Sequence, residues 1–441
     1  MHLSQKVALN TIIQIIAKVI TVGFGLVLMI LLTSSLGREG YGNYMYILTL
    51  VVLFGSFADW GTTVIGVREA SREEKKKQEE ILVNVFFLRL LLACLGALLM
   101  ILAGFFLPLK VAEPLLIRQG IFLGSLILIL FAFKASFGLI FQTKLQMQKL
   151  AVAEILGSGL VLFFSWLFLR INWGLSALIM AVVLANLAAV FLAGFLAFKT
   201  IRFTWHFDLK FIKKFLKESL PMGAILLMFT VDNKIDTVML GSLKGSAAVG
   251  IYAVSYRVYD VLILGAAYLM GSLLPVLSQY AHQPGGREKL RIIYQKSFDI
   301  LLFMGLAALL VCFLASPFLI KFLTQQRFGE FFDSVFVLKI LSLAILFSYF
   351  NHLTGYTIVS LGKQNNYFKV ALAALVFNIL ANLLVIPYLS YYGAALVTVL
   401  TEGLTLIITT FFIFRFLKIV PSLFSFPGTL KQLIQKRGKI F

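Results

Sequence analysis

VALNTIIQIIAKVITVGFGLVLMILLT, residues 7–33, carries one charge, Lys18, in a run otherwise free of ionised side chains. A helix of that length rises about 40 Å, more than the roughly 30 Å hydrocarbon core of a bilayer. The run therefore reads as a membrane span. The same reading extends along all 441 residues, of which 60% are hydrophobic and 13% charged, with a mean hydropathy of +0.97. A soluble domain carries roughly 45–50% apolar and 25% charged residues, so lipid must cover much of this surface. The expected fold is an all-α polytopic membrane protein of about twelve transmembrane helices.

Spans are predicted at 7–33, 41–65, 81–107, 117–142, 151–170, 173–197, 219–241, 250–276, 294–320, 335–360, 367–388 and 391–417, separated by short loops with Gly37, Gly40, Pro108, Pro114, Gly174, Gly285 and Gly362 among their breakers. No loop is long enough for a separate soluble domain. The first residues run straight into the first span, which predicts no cleavable signal peptide. Cys94 and Cys312 lie in apolar runs with no ligand spacing around them and read as small buried hydrophobes.

The net charge of +20 follows topology. With the N-terminus inside, 26 of the 39 basic residues fall in inner segments and seven in outer loops. The positive-inside rule then puts both termini in the cytoplasm. The excess reads as orientation and contact with anionic lipid. No basic stretch alternates with stacking aromatics on a soluble module, so nucleic acid is not an expected partner.

Six cations remain inside predicted spans: Lys18, Arg89, Lys134, Lys234, Arg257 and Lys339. A cation near the bilayer centre costs about 2.5–3.5 kcal/mol on insertion scales and needs a watery cavity or a partner. Arg89 and Lys339 lie nearer span ends, where they can snorkel. Carboxylates share this territory: Asp232 and Asp236 on one helix face, and Asp260 three residues after Arg257, close enough to pair within its helix. Glu402 and Asp59 are also intramembrane. Two readings stay open: internal ion pairs that hold helices together, or a hydrated cavity with a basic wall that receives an anion. Lys18 favours the second, because no acid shares its span.

The chain also repeats itself. Residues 34–50, SSLGREGYGNYMYILTL, and 240–258, LGSLKGSAAVGIYAVSYRV, both close one span and enter the next through Gly-x-Tyr, at Gly42 to Tyr44 and Gly250 to Tyr252. Asn172-Trp173-Gly174 similarly matches Tyr391-Tyr392-Gly393. The offsets are close, which predicts two pseudo-symmetric six-helix halves around a central cavity: 1–200, a basic linker 201–218, 219–417, and a basic tail 418–441. Such repeats place cargo between the halves and move it by alternating access.

The segment Asp236-Thr237-Val238-Met239-Leu240-Gly241 with Gly250-Ile251-Tyr252-Ala253, together with Thr33-Ser34-Ser35-Leu36-Gly37 and Phe141-Gln142-Thr143-Lys144, resembles the polysaccharide-repeat-unit (O-antigen, Wzx-type) flippases of the multidrug/oligosaccharidyl-lipid/polysaccharide exporter superfamily. The resemblance covers nearly the whole chain and implies transfer of an undecaprenyl-diphosphate-linked oligosaccharide from the inner to the outer leaflet of the cytoplasmic membrane. It implies a cationic cavity, for which Lys18, Lys134, Lys234 and Arg257 are the candidates. Tyr252, Tyr256 and Tyr259 recur at helical spacing and are the candidates for sugar contact. Asp232, Asp236, Asp260 and Glu402 are the candidates for coupling to a proton or sodium ion. A polysaccharide polymerase is a candidate partner.

Alternatives differ in charge and size. Multidrug exporters of the same superfamily move mostly organic cations and often place an aspartate in the first helix, where this chain has Lys18. Peptidoglycan lipid precursor flippases usually have fourteen spans. A polyprenyl-linked glycosyltransferase needs a catalytic acid or metal in a sizeable outer loop, and the longest here, 321–334, holds only Glu330 and Asp333. The histidines His2, His206, His282 and His352 give no metal-ligand spacing, and no Gly-x-x-x-x-Gly-Lys-Ser/Thr stretch occurs. The expectation is a transporter, not an enzyme, with no catalytic residue, metal or cofactor.

Overall fold

The computed structural model describes residues 3–106, 114–201, 203 and 207–422, with side chains from residue 10 onward. The side chain of Lys6, and Lys110, Arg202, His206 and the expected basic tail from 423 on, lie outside this set. Among the described residues every regular element is a helix. They are α1 (Leu3–Asp59), α2 (Thr62–Ala70), α3 (Lys75–Phe106), α4 (Pro114–Thr143), α5 (Met147–Arg170), α6 (Gly174–Phe198), α7 (Leu209–Lys244), α8 (Ser246–His282), α9 (Gly286–Thr324), α10 (Asp333–Ser360) and α11 (Gln364–Leu417), with a 3₁₀ turn at Gln325–Phe331. Lipid offers the backbone no hydrogen bonds, so each crossing must satisfy its own amides, and a helix does this segment by segment.

Nine helical stretches among the described residues are long and apolar enough to cross a bilayer. Two of these cross twice. α1 breaks at Gly37, whose φ of 69° and ψ of −172° suit only glycine, and α11 breaks at Ser390 with φ of 52° and ψ of −133°. α7 has the length of a span, but Asp232, Lys234 and Asp236 dilute its apolar character. Counting both halves of the broken helices and α7 gives the twelve crossings expected. The second span ends earlier than expected: Asp59 closes it, Trp60 and Gly61 turn with φ of 38° and 72°, and α2 begins at Thr62. Gly61 is required there, because a Cβ would stand 2.7 Å from the Gly223 nitrogen and 3.0 Å from the Ser219 carbonyl on α7.

Contacts divide the chain into two compact units. The first comprises Met1–Gly250 with Leu323–Arg327, and the second Ile251–Phe322 with Phe328–Phe441. The contact boundary falls at Gly250, beyond the 201–218 segment, because α7 packs on α1, α2 and α3. The first unit is built on Phe137, Phe141, Leu82, Ala153, Ala193 and Phe215, with Phe86, Phe133 and Phe203 edging onto them. Ala58, Ala93 and Ala132 let α1, α3 and α4 approach closely. α7 starts where Asp208 caps it, its carboxylate accepting from the Lys210 and Phe211 amides, while Asn84 Oδ1 on α3 accepts from the Asp208 amide at 2.8 Å. Leu314, Phe191 and Ile407 are each 70% or more exposed, as side chains facing acyl chains are.

The glycines of the repeat meet each other. A Cβ on Gly42 would run into the Ser246 carbonyl oxygen and stand 2.9 Å from the Gly250 nitrogen. A Cβ on Gly250 would run into the Arg38 carbonyl oxygen. The segment following the α1 break and the start of α8 thus cross backbone to backbone within the first unit.

Candidate functional site

The four expected cations occupy different surroundings. Lys18 is exposed on the first half of α1, flanked by exposed Ile15, Ile16, Val19 and Ile20. Its ammonium has no ion pair or hydrogen bond among the described residues, and only its carbonyl is engaged, accepting from Thr21 Oγ1 at 3.0 Å. Lys134 on α4 is half-buried and tied down: its ammonium donates to Asn186 Oδ1 on α6 at 3.3 Å and lies 4.8 Å from the Phe131 ring centroid. Lys234 on α7 is half-buried and interacts with neighbours, as do Asp232 and Asp236. Asp236 is buried, its Oδ1 accepting from the Thr237 amide at 2.7 Å.

In the second unit Arg257 on α8 is half-buried and, among the described residues, makes neither an ion pair nor a hydrogen bond. The intrahelical pair with Asp260 is not formed, and Asp260 is engaged elsewhere. Among the described residues, Lys18 and Arg257 are therefore the two expected cations whose charge is left uncompensated. That state is costly in a membrane and suits an anion arriving from outside the chain.

The tyrosine stripe on α8 is placed inside the second unit. Tyr252, Tyr256 and Tyr259 are buried and stack in sequence, with ring centroids 5.2 and 5.1 Å apart. The Tyr252 hydroxyl lies 3.2 Å from Thr398 Oγ1, and the Tyr259 hydroxyl donates to Glu402 Oε1 at 2.7 Å, both on α11. Helix spacing signalled the stripe, and the Tyr252 and Tyr259 hydroxyls tie it to α11.

Glu402 on α11 is held from both α8 and α10. Besides Tyr259, it accepts from Asn351 Nδ2 on α10 at 2.6 Å through Oε2 and at 2.9 Å through its main-chain oxygen. Ser348 and His352 stand on the same α10 face, the His352 Nδ1 lying 2.8 Å from the Ser348 carbonyl. Asn351 Oδ1 is buried without a partner. An amide that gives both bonds to one glutamate and leaves its own oxygen unused can turn over and accept a hydrogen bond from the protonated carboxyl or face a cation. Nothing in the local sequence separates Asn351 from other polar residues of membrane helices; only the meeting of α8, α10 and α11 does.

Two expectations about span-end cations resolve differently. Arg89 does not snorkel. It is wholly buried, its Nε donating to Thr62 Oγ1 at 2.6 Å and one terminal nitrogen to Asp59 Oδ1 at 3.0 Å and Thr63 Oγ1 at 2.5 Å. The α1–α2 break brings all three acceptors onto α3, and the sequence gives no sign of that turn. Lys339 lies between the Phe313 and Phe336 rings, 5.5 Å from each centroid. No cluster of three or more His, Cys, Asp or Glu side chains suited to a metal occurs among the described residues.

Helices with the length and apolar character of membrane crossings make this a multi-pass membrane protein, and its family matches make it a transporter. The chain belongs to the polysaccharide biosynthesis protein family, whose sequence profile matches residues 7–281; the MatE profile matches residues 221–384. It is similar to the capsular polysaccharide biosynthesis protein CapF of Staphylococcus aureus, 25% identical over 193 residues, 43% of this chain and 47% of that protein. The match thus spans about half the length of that relative. In fold the chain is similar to an inward-facing multidrug resistance MATE family transporter of the MOP superfamily, with a TM-score of 0.75, 17% identity, and 90% and 94% of the two chains covered. It is equally similar to the lipid II flippase MurJ in an inward closed conformation, with a TM-score of 0.77, 14% identity, and 97% and 91% covered.

Proposed function

We propose that the chain flips an undecaprenyl-diphosphate-linked oligosaccharide from the inner to the outer leaflet of the cytoplasmic membrane by alternating access, for surface polysaccharide synthesis. The observation that carries this reading is Lys18: an exposed, uncompensated ammonium on an acid-free half-helix, in a sleeve of isoleucine and valine. A cation within an apolar sleeve suits an amphiphilic anion better than a soluble one, since the phosphate meets the charge while the lipid covers the aliphatic flanks. Arg257, Lys134 and Lys234 are the other candidate cations for such a cargo. Membership of the polysaccharide biosynthesis protein family and the similarity to CapF support a polysaccharide cargo. Both termini are assigned to the cytoplasm by the distribution of basic residues.

Glu402 is the proposed coupling group, for exchange of a proton or sodium ion, because both its carboxylate oxygens meet neutral donors. A multidrug exporter would share the fold. Such exporters often place an aspartate in the first helix, where the first half of α1 carries Lys18 and no carboxylate.

The test is translocation of a fluorescent undecaprenyl-diphosphate oligosaccharide in liposomes holding the purified protein, with leaflet exposure read by an impermeant quencher. Protein-dependent flipping supports the reading. Efflux of a small organic cation with no flipping of any glycolipid moves the chain to the drug-exporter branch.

A further inference from the structure

Glu154 lies within α5, a helix apolar enough to cross a bilayer, and is half-buried. Among the described residues its carboxylate makes neither a hydrogen bond nor an ion pair. An ionised side chain inside a span is costly, so the group that offsets it matters. That group is Lys134 on α4, whose ammonium is under the charge of Glu154. The two are held differently. Lys134 is anchored: Asn186 Oδ1 accepts from its ammonium at 3.3 Å, and the Phe131 ring centroid lies 4.8 Å away. Asn186 is buried and itself fixed, its Nδ2 donating to the Val182 carbonyl at 2.9 Å. Glu154 has no such tether, and the attraction acts across a gap. Lys18 stands at the same level. α1 and α5 run side by side, with Asn10 Oδ1 accepting from the Met147 amide at 3.0 Å and, further along, the Phe24 ring 3.6 Å from where a Cβ on Gly159 would stand. Lys18 and Glu154 both fall between these two contacts. α6, which also packs on α5, carries no ionised side chain. All of these residues belong to the first unit.

We infer that Glu154 is a resident counter-charge, which offsets Lys134 while no anion is bound and yields that cation to a phosphate group when one arrives. A phosphate oxygen bonds an ammonium at about 2.8 Å, a contact that Glu154 does not make. The anchored ammonium stays where Asn186 holds it, and the untethered carboxylate is the member free to swing aside. Until it does, it repels the incoming phosphate, so it lowers affinity without touching the ligand. Lys134 and Lys18 against one carboxylate leave this part of the unit with a small positive excess. An anion is then attracted but not trapped, as a site that must both fill and empty requires. The lipid-linked identity of that anion rests on the transport reading; the charge balance between Lys134 and Glu154 does not.

The test is calorimetric titration of inorganic pyrophosphate into the full chain in nanodiscs of uncharged lipid at low salt. Glu154→Gln, which keeps the shape and removes the charge, is expected to bind pyrophosphate about tenfold more tightly than the parent. Glu154→Asp, which keeps the charge, should stay near the parent. Most of the gain should vanish when Lys134→Gln is combined with Glu154→Gln, since the carboxylate acts through that cation. Glu74→Gln, at an exposed acid outside the spans, is the control for net charge and should change nothing. Unchanged or weaker binding in Glu154→Gln, the full gain kept in the Lys134→Gln background, or an equal gain from Glu74→Gln overturns the inference. Undecaprenyl diphosphate is the second probe. A gain with pyrophosphate while the lipid binds to no variant would sink the lipid-cargo reading and leave the counter-charge standing.

Discussion

Gly42 and Gly250 lie against each other, the nitrogen of Gly250 2.9 Å from where a Cβ on Gly42 would stand. The opposing groups are main-chain atoms of Arg38 and Ser246, which cannot rotate away as side chains do. Gly42→Ala and Gly250→Ala should each therefore cost about 3 kcal/mol, the upper range for overpacking. The check is the thermal midpoint of detergent-purified protein by size exclusion. Gly23→Ala is the control, since a Cβ there meets nothing within 4 Å. Equal midpoints for all three variants would contradict the crossing.

Arg89→Ala removes the buried partner of an ion pair whose carboxylate, Asp59, is 36% exposed, and takes the guanidinium donors from Thr62 and Thr63, and should cost about 1.5–3 kcal/mol. Arg89→Lys should not restore stability, because one ammonium cannot reach Thr62, Thr63 and Asp59 in the fork geometry the guanidinium uses. Folded yield and midpoint measure both. A lysine variant as stable as the parent would show that charge alone holds the α1–α2 break.

Ser390 sits at a backbone conformation that favours glycine, between Pro387 and the paired Tyr391 and Tyr392 hydroxyls that both donate to Asp333. Since those bonds hold the break in place, relieving the strain should stabilise. Ser390→Gly is expected to raise stability by about 1 kcal/mol, read as an upward shift in midpoint. A downward shift would mean that the serine side chain contributes more than the strain removes.

Glu402→Gln replaces one acceptor oxygen with a donor. Asn351 can answer by turning its amide so that the unpartnered Oδ1 accepts, and Tyr259 keeps a carbonyl oxygen as its acceptor. The variant should therefore fold. Its transport rate should no longer respond when proton or sodium gradients are collapsed, whereas the parent rate should fall. A variant that still responds would remove Glu402 from coupling.

Much of this fold was legible in the sequence because lipid imposes one rule on every crossing, and apolar length reports it directly. The twelve spans, the breakers Gly37 and Gly362, and the Gly-x-Tyr repeat follow from that rule or from backbone geometry. The site was legible only in part. Lys18 stands out because its helix has no acid. The environment of Arg89 depends on a turn at Trp60 and Gly61 that an apolar run conceals, since span hydropathy is blind to a break near its end. At Tyr252 and Glu402, helical spacing reveals a shared face but not what that face meets, and here the faces of α8 and α11 meet each other.

The most direct test of the central claim compares the parent with Lys18→Ala and Lys18→Arg in the liposome flipping assay, with matched reconstitution and midpoint. The account predicts that flipping of the undecaprenyl-diphosphate oligosaccharide falls at least tenfold in Lys18→Ala and is substantially kept in Lys18→Arg, because a diphosphate needs the charge that Lys18 leaves uncompensated. Flipping by Lys18→Ala at the parent rate would contradict it.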